Sequence, residues 1–200
     1  MAGLDEVGRG AWAGPVSVGV VVFRPDLSPP VGLCDSKLLS EARREALYPL
    51  VAAWCVEWSV GHAGPGECDG LGMTAALRLA AQRALDALAE PPGTILMDGA
   101  FDYVSAPAGP GGTDRPTGPV PSVRTVIRGD ATCVSIAAAS IVAKVTRDRM
   151  MRAMATSFPA FDFDRNKGYP SPVHRTALAG HGLTSVHRRS WSYVDDLAFR

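Results

Sequence analysis

Met1-Ala2-Gly3-Leu4-Asp5-Glu6, a break at Gly8, Gly10, Gly14 and Pro15, and then Val16-Ser17-Val18-Gly19-Val20-Val21-Val22-Phe23 form the stretch that decides the fold. The second run is rich in β-branched residues, whose stiff side chains suit an extended backbone. Glycine and proline between the runs punctuate the chain as turn formers. Two strands joined by a glycine-rich turn are therefore expected, with a pair of acids at the end of the first.

Further along, Ser40 followed by good helix formers over 41–53 reads as an N-capped helix with Ala42, Leu47, Leu50 and Val51 available inward and Pro49 as a place for a kink. Residues 55–60 read as a strand. Residues 67–90 carry Met73, Leu77, Ala80, Ala84 and Leu88 at helical spacing, and Pro91-Pro92-Gly93 ends that pattern. A short buried strand over 94–97 terminates at Asp98. The Pro/Gly-dense stretch 105–121 has little to bury and reads as a loop within a domain. Residues 122–127 give another strand and 131–155 a helix, whose Ala137-Ala138-Ala139-Ser140 would let a neighbouring backbone approach closely. A turn and short helix follow over 169–182. Five strands interleaved with helices predict an α/β sheet, and 200 residues suffice for one domain with a sizeable core, spanning 1–200.

A 46% hydrophobic and 20% charged composition excludes wholesale disorder, a coiled coil and a collagen-like chain. No apolar run reaches the roughly 18 residues of a membrane span, and no cleavage-site pattern follows the short run 16–23, so neither a membrane span nor a signal peptide is expected. Cys34, Cys55, Cys68 and Cys133 never form a CxxC pair. That argues against a zinc cluster or a dense disulfide framework and for a reducing cytoplasm. The 20 basic and 20 acidic residues cancel, but the cancellation hides a split. From Ser122 onward twelve basic residues face six acids, leaving the remainder acidic by the same margin. A basic C-terminal part suits a polyanion and an acidic remainder suits a cation, although a merely solvated charged surface fits the charge pattern equally well.

Asp5 and Glu6 end one strand, Asp98 ends another, and Asp130 follows a third, each within two residues of a glycine. Such carboxylates can converge on one sheet edge. Adjacent strand residues point to opposite faces, so a shared ion at Asp5 and Glu6 predicts that the chain begins to bend there, helped by Gly8 and Gly10. Four clustered carboxylates repel unless a cation neutralises them, and hard Mg²⁺ or Mn²⁺ suits oxygen ligands. Two such ions about 4 Å apart would serve the attacking water and the leaving oxygen of a phosphodiester. Spacing alone leaves open that each acid is a solvated loop carboxylate or a helix cap.

Asp5-Glu6-Val7-Gly8-Arg9-Gly10 with Ala13-Gly14-Pro15-Val16 resembles the signature of the ribonuclease HII family, the bacterial type 2 ribonucleases H. Asp35-Ser36-Lys37, Met97-Asp98-Gly99, Gly129-Asp130, the run Ser135–Arg149, Asn166-Lys167-Gly168-Tyr169 and His187-Arg188-Arg189-Ser190 follow in the family's order. The resemblance spans nearly the whole chain. It implies a ribonuclease H-like fold, a mixed five-stranded sheet flanked by helices, with a C-terminal helical substrate-binding segment over about 160–200. It also implies a divalent-metal-dependent endonuclease acting on RNA/DNA hybrids and on duplex DNA containing ribonucleotides, cutting 5′ to the ribonucleotide to leave 3′-hydroxyl and 5′-phosphate ends. Asp5, Glu6, Asp98 and Asp130 align with the family's catalytic metal ligands, and two ions are expected in the reacting complex.

By the same resemblance, Gly8, Arg9, Gly10 and Tyr169 correspond to the device that senses the ribose 2′-hydroxyl, the group that distinguishes RNA from DNA. Ser36, Lys37, Lys144, Lys167, Arg188 and Arg189 are candidates for phosphate contacts. Asp148, four residues beyond Lys144, reads as a salt-bridge partner. His62, His174, His181 and His187 lack metal-site spacing and read as satisfied or exposed imidazoles. A monomer is expected, and the tail after Ser190 shows no clear clamp-binding motif. Only four residues precede Asp5, which raises a frayed first strand, or a chain that starts late, as expectations. Gly72 stands where many relatives carry asparagine. A non-cutting binding module, another nuclease of the same superfold and a small-molecule phosphatase are the competing readings.

Overall fold

The computed structural model describes residues 1–34, 36–105 and 121–196. Asp35 and the body of the expected 105–121 loop lie outside the described residues. The first two runs form β1 (Ala2–Val7) and β2 (Val16–Val22), an antiparallel pair in register from Ala2 opposite Val22 to Val7 opposite Ser17. β3 (Glu57–Ala63) extends the sheet beyond β2 in antiparallel fashion. On the other side, β4 (Thr94–Asp98) runs parallel to β1, and β5 (Ser122–Val126) parallel to β4. The order β3-β2-β1-β4-β5 is the expected mixed five-stranded sheet. It corrects one expectation: β1 is the central strand, paired on both edges over residues 2–4 and with β2 through Val7, so its short lead does not leave it frayed.

Helix α1 (Glu41–Trp54) begins at the predicted cap, where the Ser40 side chain accepts from the Arg43 N–H, and runs through Pro49 without a break. The single helix expected over 67–90 is two: α2 (Pro65–Leu71) and α3 (Met73–Asp86). Gly72, at φ +77°, turns the chain between them, a conformation that a side chain disfavours. The helix expected over 131–155 is likewise divided at Cys133, whose extended backbone separates the one-turn α4 (Gly129–Thr132) from α5 (Val134–Ser157).

Two layers of helix bury the sheet. Ala76, Leu77, Ala80 and Ala84 of α3 pack with Leu4, Val18, Val20, Ile95 and Met97 on one face. On the other face, Leu47 and Val51 of α1 meet Val21 and the small-residue stretch of α5. That stretch does what its composition suggested. A Cβ on Gly3 would lie 2.2 Å from the Ser135 carbonyl, and one on Gly19 would lie 2.6 Å from the Ala139 oxygen. Bare backbone in β1 and β2 thus brings α5 directly onto the strand that carries Asp5. A third cluster, with Ala13, Met151, Phe161, Phe163, Leu178 and Tyr193, docks the C-terminal segment, including α6 (Phe163–Asn166) and α7 (Pro172–His181), beside the β1–β2 turn. Cys34, Cys55, Cys68 and Cys133 are free thiols, and no described helix is long and apolar enough to cross a membrane.

Candidate active site

The C-terminal end of β1 opens onto a pocket lined by Asp5, Glu6, Gly8, Arg9, Gly10, Ser36, Lys37, Asp98, Ser140, Lys144 and Tyr169. Its position follows from the sheet. Leu4 pairs with Met97, so Asp5 and Asp98 continue neighbouring parallel strands, and β5 pairs Val126 with Asp98 just before the turn to Asp130. Asp98 Oδ1 accepts the Gly129 N–H at 2.7 Å and the Asp130 N–H at 3.4 Å, which draws the start of α4 onto the end of β4. Lys37 Nζ lies 3.1 Å from Asp130 Oδ2 and joins that acid to the same edge.

The expected bend at Asp5-Glu6 does not occur. β1 remains regular through Val7, and the chain turns only at Gly8, at φ +84°. The two acids therefore take opposite faces: Asp5 is buried toward Ser140 of α5, while Glu6 accepts from the Tyr103 hydroxyl at 3.4 Å. Burial, then the charges of Glu6 and Asp98, push the Asp5 carboxyl up to about 8. Burial also raises Glu6, with Arg9 acting the other way. Among the described residues no three carboxylate, imidazole or thiol side chains stand arranged to hold a metal; the acids instead face protein donors. Their chemistry nonetheless fits a hard divalent cation, because the ligands are all oxygen and a positive ion would relieve the repulsion that raises Asp5. Asp5, Glu6, Asp98 and Asp130 are the residues that would hold it.

The remaining predicted positions divide in two. Ser36, Lys37, Lys144, Gly8, Arg9, Gly10 and Tyr169 come together in the pocket. The Tyr169 hydroxyl accepts from the Gly8 N–H at 3.2 Å, spanning 161 positions of sequence. Lys144 is paired with Asp148 at 2.6 Å, as the four-residue spacing suggested, and still borders the pocket. Lys167 and Arg188 are not brought there. Lys167 is buried at φ +53°; its Nζ donates to the Asp164 carbonyl and pairs with Glu41 at 3.2 Å. Arg188 is fully buried and donates to the carbonyls of Gly8, Arg9 and Gly14. Both are corrected from phosphate contacts to internal ties: their donors already serve protein oxygens, and burial denies them a backbone phosphate. The Arg189 side chain is outside the pocket lining; its main chain is held by Asp69.

Sequence reading missed two residues. Ser140 lay inside the quoted helix motif, and its one-turn spacing before Lys144 was the available signal. Tyr103 carried no motif; only the fold places it against Glu6. The four histidines are as expected. His62 Nδ1 meets Ser17 at 2.7 Å, His181 is exposed, and His174 and His187 form a buried Nε2···Nε2 contact of 3.0 Å.

Sheet order and the flanking helices define the fold class. Solved structures similar to this one include ribonuclease H2 from Pyrococcus horikoshii, at TM-score 0.75 and 26% identity over 98% of this chain and 95% of that one. Another is the ribonuclease HII of Archaeoglobus fulgidus in its complex with PCNA, at TM-score 0.73 and 24% identity over 100% and 97%. The molecule therefore has the ribonuclease H fold. The family model for ribonuclease HII matches residues 2–194. Ribonuclease HII from Streptomyces avermitilis is 50% identical over 98% of this chain and 78% of its own length, and that of Paracoccus denitrificans is 44% identical over 97% and 85%. The chain belongs to the ribonuclease HII family, whose members are endonucleolytic hydrolases.

Proposed function

We propose that this enzyme hydrolyses the phosphodiester 5′ to a ribonucleotide, in RNA/DNA hybrids and at single ribonucleotides within duplex DNA, leaving 3′-hydroxyl and 5′-phosphate ends. It would thereby remove RNA primers and misincorporated ribonucleotides in the cytoplasm. The observation that supports this reading most is that one pocket is lined both by Asp5, Glu6 and Asp98, with Asp130 tied to its edge through Lys37, and by the Gly8-Arg9-Gly10 turn with Tyr169. Chemistry and sugar recognition are then set in one place.

Asp5, Glu6, Asp98 and Asp130 would hold Mg²⁺ or Mn²⁺, which would supply Lewis-acid activation of water and neutralise charge on the departing oxygen. The protein's own groups position the strand. Tyr169 accepts from Gly8 and has a phenolic proton to offer a 2′-hydroxyl, and its ring gives the sugar a face to pack on. Glycine at 8 and 10 keeps the backbone close to that sugar. Lys37, Lys144, Arg9 and Ser36 border the pocket where phosphate oxygens would pass, and such contacts hold the duplex without reading its sequence.

The test uses a labelled DNA duplex with one internal ribonucleotide, its all-DNA twin and an RNA/DNA hybrid, each with Mg²⁺, Mn²⁺ or EDTA, and Asp98→Asn as control. Metal-dependent incision immediately 5′ to the ribonucleotide, lost in the variant, is expected. Cutting of the all-DNA twin would identify a general nuclease of this fold, and binding without incision a non-catalytic module.

A further inference from the structure

The turn that follows β1 is held from behind by a residue near the far end of the chain. Arg188 has no solvent exposure, and its guanidinium donates to Gly8 O at 2.7 Å, Arg9 O at 3.0 Å and Gly14 O at 3.2 Å. A planar fork with five donors suits three carbonyls fixed in one loop, where an ammonium would satisfy them poorly. The Arg188 main chain is gripped as firmly: its N–H donates to Trp12 O at 2.8 Å, and its carbonyl accepts from the Tyr193 hydroxyl at 2.8 Å. The next two residues are pinned by Asp69, which accepts from the N–H groups of Arg189 and Ser190 and from the Ser190 hydroxyl.

These contacts dictate which way two peptide groups face. A trans peptide is planar, so its C=O and the following N–H point in opposite directions. Drawing the Gly8 carbonyl inward turns the Arg9 N–H outward, and drawing the Arg9 carbonyl inward turns the Gly10 N–H outward. Arg9 and Gly10 are exposed and border the pocket, whereas Arg188 lies beneath them. We propose that Arg188 is a positioning residue that aims the Arg9 and Gly10 amides into the pocket as a pair of donors for substrate oxygens. Asp69 holds it to that task from the protein surface. Neither residue touches substrate. This inference rests on the proposed reading of the pocket as the ribonucleotide site, but the amide orientation itself does not depend on that reading.

The experiment compares the wild-type enzyme with Arg188→Lys and Asp69→Ala, each assayed well below its own melting temperature on the single-ribonucleotide duplex. With the amide pair misdirected, KM is expected to rise about tenfold in Arg188→Lys while kcat stays within about threefold. The Arg9 and Gly10 amide resonances of the substrate-free protein should move as well. Asp69→Ala is expected to raise KM several-fold in the same direction. A merely structural role would lower the melting temperature and leave KM of the folded enzyme unchanged, and that result would overturn the proposal. If Arg188→Lys does not fold, Asp69→Ala decides alone: an unchanged KM with unchanged amide resonances refutes the idea. If the wild-type enzyme ignores the ribonucleotide, the reading of the pocket fails, while the substrate-free resonances still test the amide orientation.

Discussion

Lowering the pH should destabilise this protein through one buried pair of imidazoles. His174 Nδ1 lies 3.0 Å from the Tyr169 carbonyl, which only accepts, so His174 carries its proton there. Its Nε2 is then an acceptor, and His187 must donate across the 3.0 Å contact. That leaves His187 Nδ1 to accept from the Thr184 N–H at 3.1 Å. A second proton on either ring would set donor against donor. Burial, then the neighbouring His174, holds His187 down to about 4 from its ordinary 6.5, and burial lowers His174 too.

A group with a depressed folded-state pKa gives stability that is complete above the unfolded value and lost as pH falls toward the folded one. The unfolded chain takes up the proton first. Between about pH 8 and about pH 5 the His187 values convert, at about 1.4 kcal/mol per pH unit, to a loss of about 2 kcal/mol. Urea unfolding followed by tryptophan fluorescence measures it, with His187→Gln as reference, because glutamine keeps a donor toward His174 and does not titrate. The stability advantage of wild type over the variant should shrink by that amount across the range. Carboxylates common to both proteins cancel in the difference. Parallel curves for the two proteins would refute the assignment of a neutral, singly bridged pair.

Two further outcomes follow from the pocket. Asp5 is held up to about 8, so its charged form opposes folding at neutral pH, and Asp5→Asn should raise the melting temperature in EDTA while removing activity and most of the stabilisation that added Mg²⁺ gives wild type. Scanning calorimetry with and without Mg²⁺ reads both effects. Gly10 has open space where a Cβ would stand and an ordinary φ, so Gly10→Ala should leave unfolding within about 0.5 kcal/mol of wild type yet cut kcat/KM severalfold, as a steady-state assay beside a melt would show.

Much of this architecture is legible in the chain because it rests on local rules. β-Branched residues over 16–23 gave a strand, Ser40 a cap, and the alanine run a helix that lies against bare glycine in β1 and β2. The helix breaks at Gly72 and Cys133 were harder, since apolar spacing continues across them and only the backbone angles reveal the interruption. At the site, the acids stood out at strand ends, but spacing alone left their role open, and it was the resemblance to ribonuclease HII that singled out the four acids and the glycine turn. The roles of Arg188 and Lys167 were not readable, because a basic residue looks alike whether it faces a phosphate or a set of buried carbonyls. Burial decides between those roles, and burial at positions so far apart in sequence is a property of the assembled fold. The bend expected at Asp5-Glu6 failed for a related reason: antiparallel pairing with β2, which continues through Val7, keeps the strand straight until Gly8 frees it.

The long reach of the ties beneath the β1–β2 turn has a consequence for biosynthesis. Arg147 holds Pro15 from 132 positions away, Tyr169 meets Gly8 from 161, and Arg188 meets it from 180. This turn receives its supports from residues far downstream of it, so closing it waits on contacts of very high sequence separation, the slow kind in folding. A chain cut short before Arg188 therefore keeps Asp5, Glu6, Asp98 and Asp130 and lacks the arginine that ties down the carbonyls of Gly8, Arg9 and Gly14.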